Sequence, residues 1–199
     1  MDQASGTEVS GKTLGLIGLG TIARHMGKIA NGLEMNVHAY DPFVAESVFE
    51  ELRIVRENDI ESILKISDVL SLHCPLTKET HQLINEKSIQ HMKPGAVIVN
   101  TARGGLIDEA ALEKALREGR IGAAGLDTFA VEPPPKDHPF WALPNVVVSP
   151  HVGGVTEEAA ARVGVEAVQG IIQVLEKEQV NPARIVNKRE LQEFSKLVV

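Results

Sequence analysis

The sequence predicts an α/β fold: an open, doubly wound parallel sheet with helices on both faces. Three observations carry this expectation. Short apolar, β-branched runs recur along the chain, segments with helical spacing separate most of them, and a glycine-rich turn joins the first run to the first helix. The runs are Leu14–Leu19, Met35–Tyr40, Val69–His73, Ala96–Asn100, Gly122–Asp127 and Asn145–Ser149. Near-continuous apolarity, rather than alternation, marks strands buried on both faces and joined by right-handed helical crossovers.

The elements follow in order. Ile22, Met26, Ile29 and Leu33 fall at i, i+4, i+7 and i+11, which predicts a helix burying that stripe. Asp108–Glu118 reads as a helix opened by Asp108 and closed by Gly119. The stretch VEPPPKDHP, Val131–Pro139, can continue neither a helix nor a central strand and is expected to be a stiff, extended loop, anchored to the core by Trp141. A long amphipathic helix is expected from Thr156 to Lys177, with Ala160, Val163, Ala167, Ile171 and Val174 on one face. Beyond Pro182 a tail carries Ile185, Leu191, Phe194 and Leu197, which need either their own domain or a partner to cover them. The expected organisation is a main domain over 11–155 and a helix with its tail over 156–199.

Composition excludes several classes. A chain of 199 residues, 43% hydrophobic and 24% charged, is long enough for one large core. Its net charge of −7 argues against non-specific nucleic-acid binding, which needs a basic face. No secretory leader and no apolar run of about 18 residues is present, so no membrane partner is expected. A lone cysteine, Cys74, rules out an internal disulfide and fits a reducing compartment, with the cytoplasm as the expected location.

The spacing Gly18-x-Gly20-x-x-Ala23 suggests a loop that cradles the phosphates of a dinucleotide. Gly18 permits the tight turn, Gly20 lets the backbone approach pyrophosphate, and Ala23 is small enough for helix-to-strand packing. Free N–H groups near Thr21 and Ile22 would face the phosphates. Asp41, closing the next run, can accept from both ribose hydroxyls and would repel a 2′-phosphate, which favours NAD over NADP. The competing reading is a simple sheet turn, with Asp41 capping a loop.

Ligands of an open parallel sheet bind beyond the carboxyl ends of its strands. That edge should carry Asp41, then Cys74 and Pro75, then Thr101, Ala102 and Arg103, then Asp127 and Glu132, and finally His151. Each has a plainer reading: His151 as a turn histidine after Pro150, Arg103 as a surface ion-pair partner, Glu132 as a solvated residue before prolines. His73 and Cys74 are neighbours on a strand and point to opposite faces, so they cannot activate one another; Cys74 is expected to pack beside the adenosine. His25, His38, His81, His91 and His138 show no metal-ligand spacing, and no metal is expected.

The segments NTARGGLIDEAAL, GLDTFAVEPP and SPHVGG, with LHCPLTKET upstream, resemble the nucleotide domain of the D-isomer-specific 2-hydroxyacid dehydrogenases over 11–182. The resemblance implies a Rossmann-type sheet, NAD as cofactor, a small 2-hydroxy or 2-keto acid as substrate, and pairing of two copies through this domain. It implies Arg103, Glu132 and His151 as the catalytic trio. Contacts to NAD would come from Thr21, Ile22, Asp41, Thr101 to Arg103, Asp127 and His151 to Gly154, including Gly153. His151 would supply and retrieve the proton of the substrate oxygen, Glu132 would orient its imidazole, Arg103 would hold substrate charge, and Asp127 the nicotinamide carboxamide. Relatives build a substrate domain mainly from residues that precede this one. The expectation is therefore that these residues encode half the pocket, bind NAD, and alone turn over substrate poorly. The alternative is an NAD(H)-binding regulatory or dimerisation module.

Overall fold

The computed structural model of the chain describes residues 6–176 together with 185 and 187. It divides into two compact units, Met1–Gly153 and Gly154–Val199. The first is built on β1 (Thr13–Ile17), α1 (Thr21–Gly32), β2 (Asn36–Tyr40), α2 (Glu46–Leu52), β3 (Val55–Arg56), α3 (Ile60–Ile66) and β4 (Val69–Leu72). It continues through α4 (Glu86–His91), β5 (Ala96–Asn100), α5 (Glu109–Arg117), β6 (Ile121–Leu126) and β7 (Val146–Val148), with short 3-10 turns at Gly104–Leu106 and Pro139–Ala142.

All seven strands are parallel, in the order β3-β2-β1-β4-β5-β6-β7. The chain winds outward from β1 to β3, then restarts at β4 on the other side of β1. Right-handed crossovers in opposite directions place their helices on opposite faces, so the reversal between β1 and β4 yields a doubly wound sheet. Two apolar clusters result. One joins Leu14, Leu16 and Val37 to Ala23, Ala30 and Phe49; the other joins Leu70, Ile98 and Ala124 to Ile63, Leu112 and Phe140.

The face that α1 buries differs from the expected one. Ile22 and Ile29 are 72% and 59% exposed, while Ala23, Gly27 and Ala30 are buried. Both sets repeat at i, i+4 and i+7, offset by one residue, and close approach selects the smaller. A methyl group on Gly27 would lie 2.7 Å from Ile54 Cδ1 and 3.8 Å from Leu16 Cδ1 of β1. Ile54 and the sheet together leave little room at position 27 for a larger side chain.

Trp141 is 43% exposed, but its ring lies 5.6 Å from that of the core residue Phe129 and its indole N–H donates to the Pro135 carbonyl at 3.0 Å, so it ties the proline loop to the core from outside. Phe140 is the residue that enters the core, at 2% exposure. The two-residue edge strand β3 has no counterpart among the expected runs.

The second unit contains α6 (Glu157–Leu175), opened by Thr156, whose hydroxyl accepts the Ala159 N–H at 3.0 Å. None of its residues is buried, including Val163, Ile171 and Val174 of the expected apolar face. Lys177, Leu191, Phe194 and Leu197 lie outside the described residues. Among the described residues no helix is long and apolar enough to cross a membrane.

Overpacking a tight contact costs about 1–3 kcal/mol, whereas a surface change costs within about 0.5 kcal/mol. Urea unfolding is therefore expected to show Ala23→Leu clearly destabilised and Ile29→Gln close to wild type. The reverse order would restore the stripe read from hydrophobicity.

Candidate active site

Strand register aligns the site. Tyr40, Ile17, Leu72, Asn100, Leu126 and Val148 form one row across the sheet. Each candidate residue follows a member of that row by a few positions: Gly18 after β1, Asp41 after β2, Cys74 after β4, Thr101 to Arg103 after β5, Asp127 after β6, His151 after β7. The backbone continues the pairing one step past the row, with Gly18 N–H donating to Tyr40 and Asp127 N–H donating to Asn100.

Gly18 has φ +93°, and a Cβ there would lie 2.9 Å from the Cys74 nitrogen, so only glycine fits. Gly20 is different. Its φ of −73° suits any residue, and a Cβ there would meet nothing within 4 Å. Gly20 opens α1 without a side-chain cap, and no acid lies in the first turn. By contrast α3, α4, α5 and α6 are capped by Asp59, Asn85, Asp108 and Thr156. The helix at the crevice thus presents uncapped N–H groups, from Thr21 and Ile22, to open space.

Asp41 braces this loop. Its Oδ2 accepts the Leu19 N–H at 2.8 Å and its Oδ1 the Phe43 N–H at 2.9 Å. Each oxygen keeps a second acceptor position for a ribose hydroxyl. Arg56, the nearest arginine in sequence after Arg53, pairs with Glu46 at 2.9 Å and lies over the Phe49 ring.

Asn100, fully buried at the end of β5, shapes the next turn. Its side chain accepts from Ala102 N–H at 3.0 Å and donates to the Arg103 carbonyl at 2.9 Å. Arg103 is exposed, and its guanidinium folds back onto the Ala102 carbonyl at 2.6 Å. Gly104 behind it must be glycine: a Cβ would fall 1.8 Å from the Phe129 carbonyl carbon.

Asp127 is 4% exposed. Its Oδ1 accepts from Ser149 Oγ at 2.6 Å and from Val152 N–H at 2.9 Å, and its Oδ2 from Gly153 N–H at 2.9 Å. Burial pushes this carboxyl up, but the bonds from Ser149, Gly153 and Val152 outweigh it and hold the pKa below the ordinary aspartate value. A direct hold on a carboxamide is the role expected for Asp127. The structure adds a task that reading missed: the residue ties down the loop on which His151 sits.

His151 has φ +56°, a left-handed conformation uncommon outside glycine. There its Nδ1 meets Glu132 Oε2 at 2.8 Å, while Nε2 has no partner among the described residues. Glu132 Oε1 accepts the Phe129 N–H at 3.0 Å. The His151 bond first, and the Phe129 bond second, hold the Glu132 carboxyl below the usual glutamate range, with a smaller contribution from the charge of Arg103. Beside the pair, a groove of about 330 Å³ is lined by Phe129, Pro133, Pro134 and Pro150. The histidine and the glutamate therefore meet at one place, while the guanidinium of Arg103 is turned onto the Ala102 carbonyl.

Cys74 is half-buried against the core, and burial pushes its thiol up, which makes it a packed residue rather than a nucleophile. His73 lies beyond the end of β4, bonded to Ser71 at 3.0 Å, with its pKa lowered by burial. Pro75 and Thr101 are exposed at the crevice rim. Gly153 belongs to the same unit as the site, whereas Gly154 begins the second. Among the described residues no group of three or more histidine, cysteine or acidic side chains is placed to hold a metal.

The family model described as D-isomer specific 2-hydroxyacid dehydrogenase, NAD binding domain, matches residues 1–153. A D-3-phosphoglycerate dehydrogenase of Methanocaldococcus jannaschii is 46% identical over 173 residues, covering 87% of this chain and 33% of that protein. A hydroxypyruvate reductase of Thermotoga maritima is 46% identical over 172 residues, covering 85% of this chain and 55% of that protein. Among solved structures, the NAD-complexed D-isomer specific 2-hydroxyacid dehydrogenase of Lactobacillus delbrueckii ssp. bulgaricus superposes with a TM-score of 0.84 at 32% identity, covering 94% of this chain and 60% of that one. The chain thus spans from 33% to 60% of the length of these relatives.

A lowered carboxylate pKa stabilises the fold above the unfolded value, and that contribution is lost as the pH falls through the native value. For Glu132 it is complete above 4.5 and fades below it. Wild type is expected to melt above Glu132→Gln at neutral pH, and the gap should close on acidification. A gap that persists in acid contradicts the His151–Glu132 pairing.

Proposed function

The chain belongs to the D-isomer specific 2-hydroxyacid dehydrogenase family and carries its NAD-binding domain, and from this we propose that its crevice serves hydride transfer between NAD(H) and a small D-2-hydroxy or 2-keto acid. The observation that carries the reading is the imidazole of His151, held through Nδ1 by Glu132 with Nε2 left unpartnered, on the same sheet edge as an uncapped glycine loop.

The residues fit the cofactor. The open space at Gly20 and the free N–H groups of Thr21 and Ile22 suit a pyrophosphate, and Asp41 has acceptor positions left for ribose hydroxyls while its charge disfavours a 2′-phosphate. Cys74 and Pro75 would flank the adenosine. Thr101, Ala102, Arg103, Asp127 and Gly153 would line the nicotinamide end. When bound, the cofactor supplies hydride to C2 of a keto acid or receives it from the hydroxy acid.

The protein's own groups handle charge and the proton. His151 would hold a proton on Nε2 and deliver it to the substrate's C2 oxygen, then reclaim it in the oxidative direction. Glu132, ionised across the neutral range, stabilises the charged imidazole and keeps the same nitrogen facing the crevice. Arg103 would swing from the Ala102 carbonyl to the substrate carboxylate or ketone oxygen, where its planar fork gives bidentate contact. Pairing of two copies through this domain, and a cytoplasmic location, belong to the same proposal.

One observation favours a second reading, an NAD(H)-binding regulatory or dimerisation module with little turnover. His151 and Arg103 are exposed, and hydrated polar groups stabilise a transition state weakly.

Calorimetry is expected to detect NADH binding, weakened about 10–100-fold by Asp41→Ala, as the loss of charged hydrogen bonds implies. NADH oxidation with glyoxylate, hydroxypyruvate or pyruvate is expected to run below about 1 per second and to fall about 10²–10⁴-fold in His151→Asn. The same sample should sediment as a dimer. An unchanged rate in His151→Asn sinks the acid–base assignment; binding without turnover supports the second reading.

A further inference from the structure

Behind the Glu132–His151 pair stands a second carboxylate–imidazole pair that the proposed chemistry leaves unused. Glu109, in the first turn of α5, accepts the Ala130 N–H at 2.8 Å through Oε1, and its Oε2 lies 3.4 Å from His138 Nε2. His138 is buried. Its Nδ1 accepts the Phe140 N–H at 3.3 Å, which puts the ring proton on Nε2, facing Glu109. The ring packs edge-on against Phe129 at 5.4 Å and lies 4.8 Å from Phe140 and 5.5 Å from Trp141.

These contacts converge on Phe129 and the two peptides that flank it. Phe129–Ala130 is held on one side by Glu109 and abuts Gly104 on the other, where no Cβ can be accommodated. The N–H of Phe129 then donates to Glu132 Oε1. Glu132 itself is exposed, and an exposed ion pair contributes too little to fix two side chains by itself. Its direction must come from backbone that is already rigid.

We infer that Glu109 and His138 are positioning residues: they fix Phe129 and the Phe129–Ala130 peptide that follows it, so that the N–H of Phe129, on the preceding Thr128–Phe129 peptide, holds the Glu132 carboxylate turned toward His151. The inference rests on the acid–base reading of His151 and Glu132. It extends the site to the start of α5, so that the segments carrying Arg103 and Glu132 share one clamp. Glu109 and His138 act through Phe129 and Ala130.

Solution NMR on the full chain tests this through the amide exchange of Phe129 and Ala130 and the carboxyl titration of Glu132. Glu109→Gln is expected to speed exchange at both amides about tenfold and to raise the Glu132 midpoint toward 4.5. His138→Gln should move both readouts in the same direction. Glu113→Gln, which removes a charge from the same helix at a residue paired with Arg117, should leave them unmoved. A folded Glu109→Gln with the Phe129 amide and Glu132 unchanged overturns the inference, as does an equal response to Glu113→Gln. Neither readout needs cofactor or turnover, so an inactive wild-type chain would refute the dehydrogenase reading without touching this one.

Discussion

The carboxylate of Asp127 lies at the end of β6, almost out of contact with solvent, and accepts one hydroxyl and two backbone N–H groups from the segment after β7. A charge buried there is costly unless its acceptor positions are filled. Filling them draws Ser149, Val152 and Gly153 around one point and leaves Pro150 and His151 as the outer arc. His151 consequently adopts a backbone conformation that it would not choose freely. Its meeting with Glu132 therefore depends on Asp127. The two loops that form the pair are fastened separately: one by a buried acid, the other through the Phe129–Ala130 peptide.

The sheet supplies the common reference for these fastenings. Because the six longer strands end in one register row, the side chains that follow them gather within a short arc although they come from segments far apart in sequence. Close packing at Ala23, Gly27 and Ala30 seats α1 against the sheet and sets where its first turn begins. That turn lacks a side-chain cap, which leaves its donors to an anionic ligand. Phosphate recognition and proton transfer thus derive from the same strand ends.

Much of this was legible in the residues. The six strand runs fall within one or two positions of the observed strands, because burial on both faces gives a continuous apolar signal. Gly18 and Asp108 were readable because a positive φ and a helix cap are local demands with few chemical solutions. What escaped was set by tertiary contact. The buried face of α1 is chosen by how closely the sheet approaches, which hydrophobic periodicity does not encode, and β3 is too short to show a period. Asp127 as a loop anchor and Glu109 as a clamp depend on partners 21 to 29 residues away, met only after folding, while Asn100 turns the chain through Ala102 and Arg103, two and three residues on. The one usable signal was compositional: a polar residue closing an apolar strand must find internal partners, which both Asn100 and Asp127 do.

The account stands on a single spatial relation, a dinucleotide crossing the strand ends from the glycine loop to His151. The most direct measurement is a heteronuclear NMR titration of the full chain with NADH, following the amides of Gly20 to Ala23 and the imidazole nitrogens of His151 in one experiment. With the dinucleotide in that position, both groups respond along the same saturation curve, and Nε2 of His151 is affected more than Nδ1. A response at the glycine loop that leaves the His151 ring unchanged at saturation would contradict it.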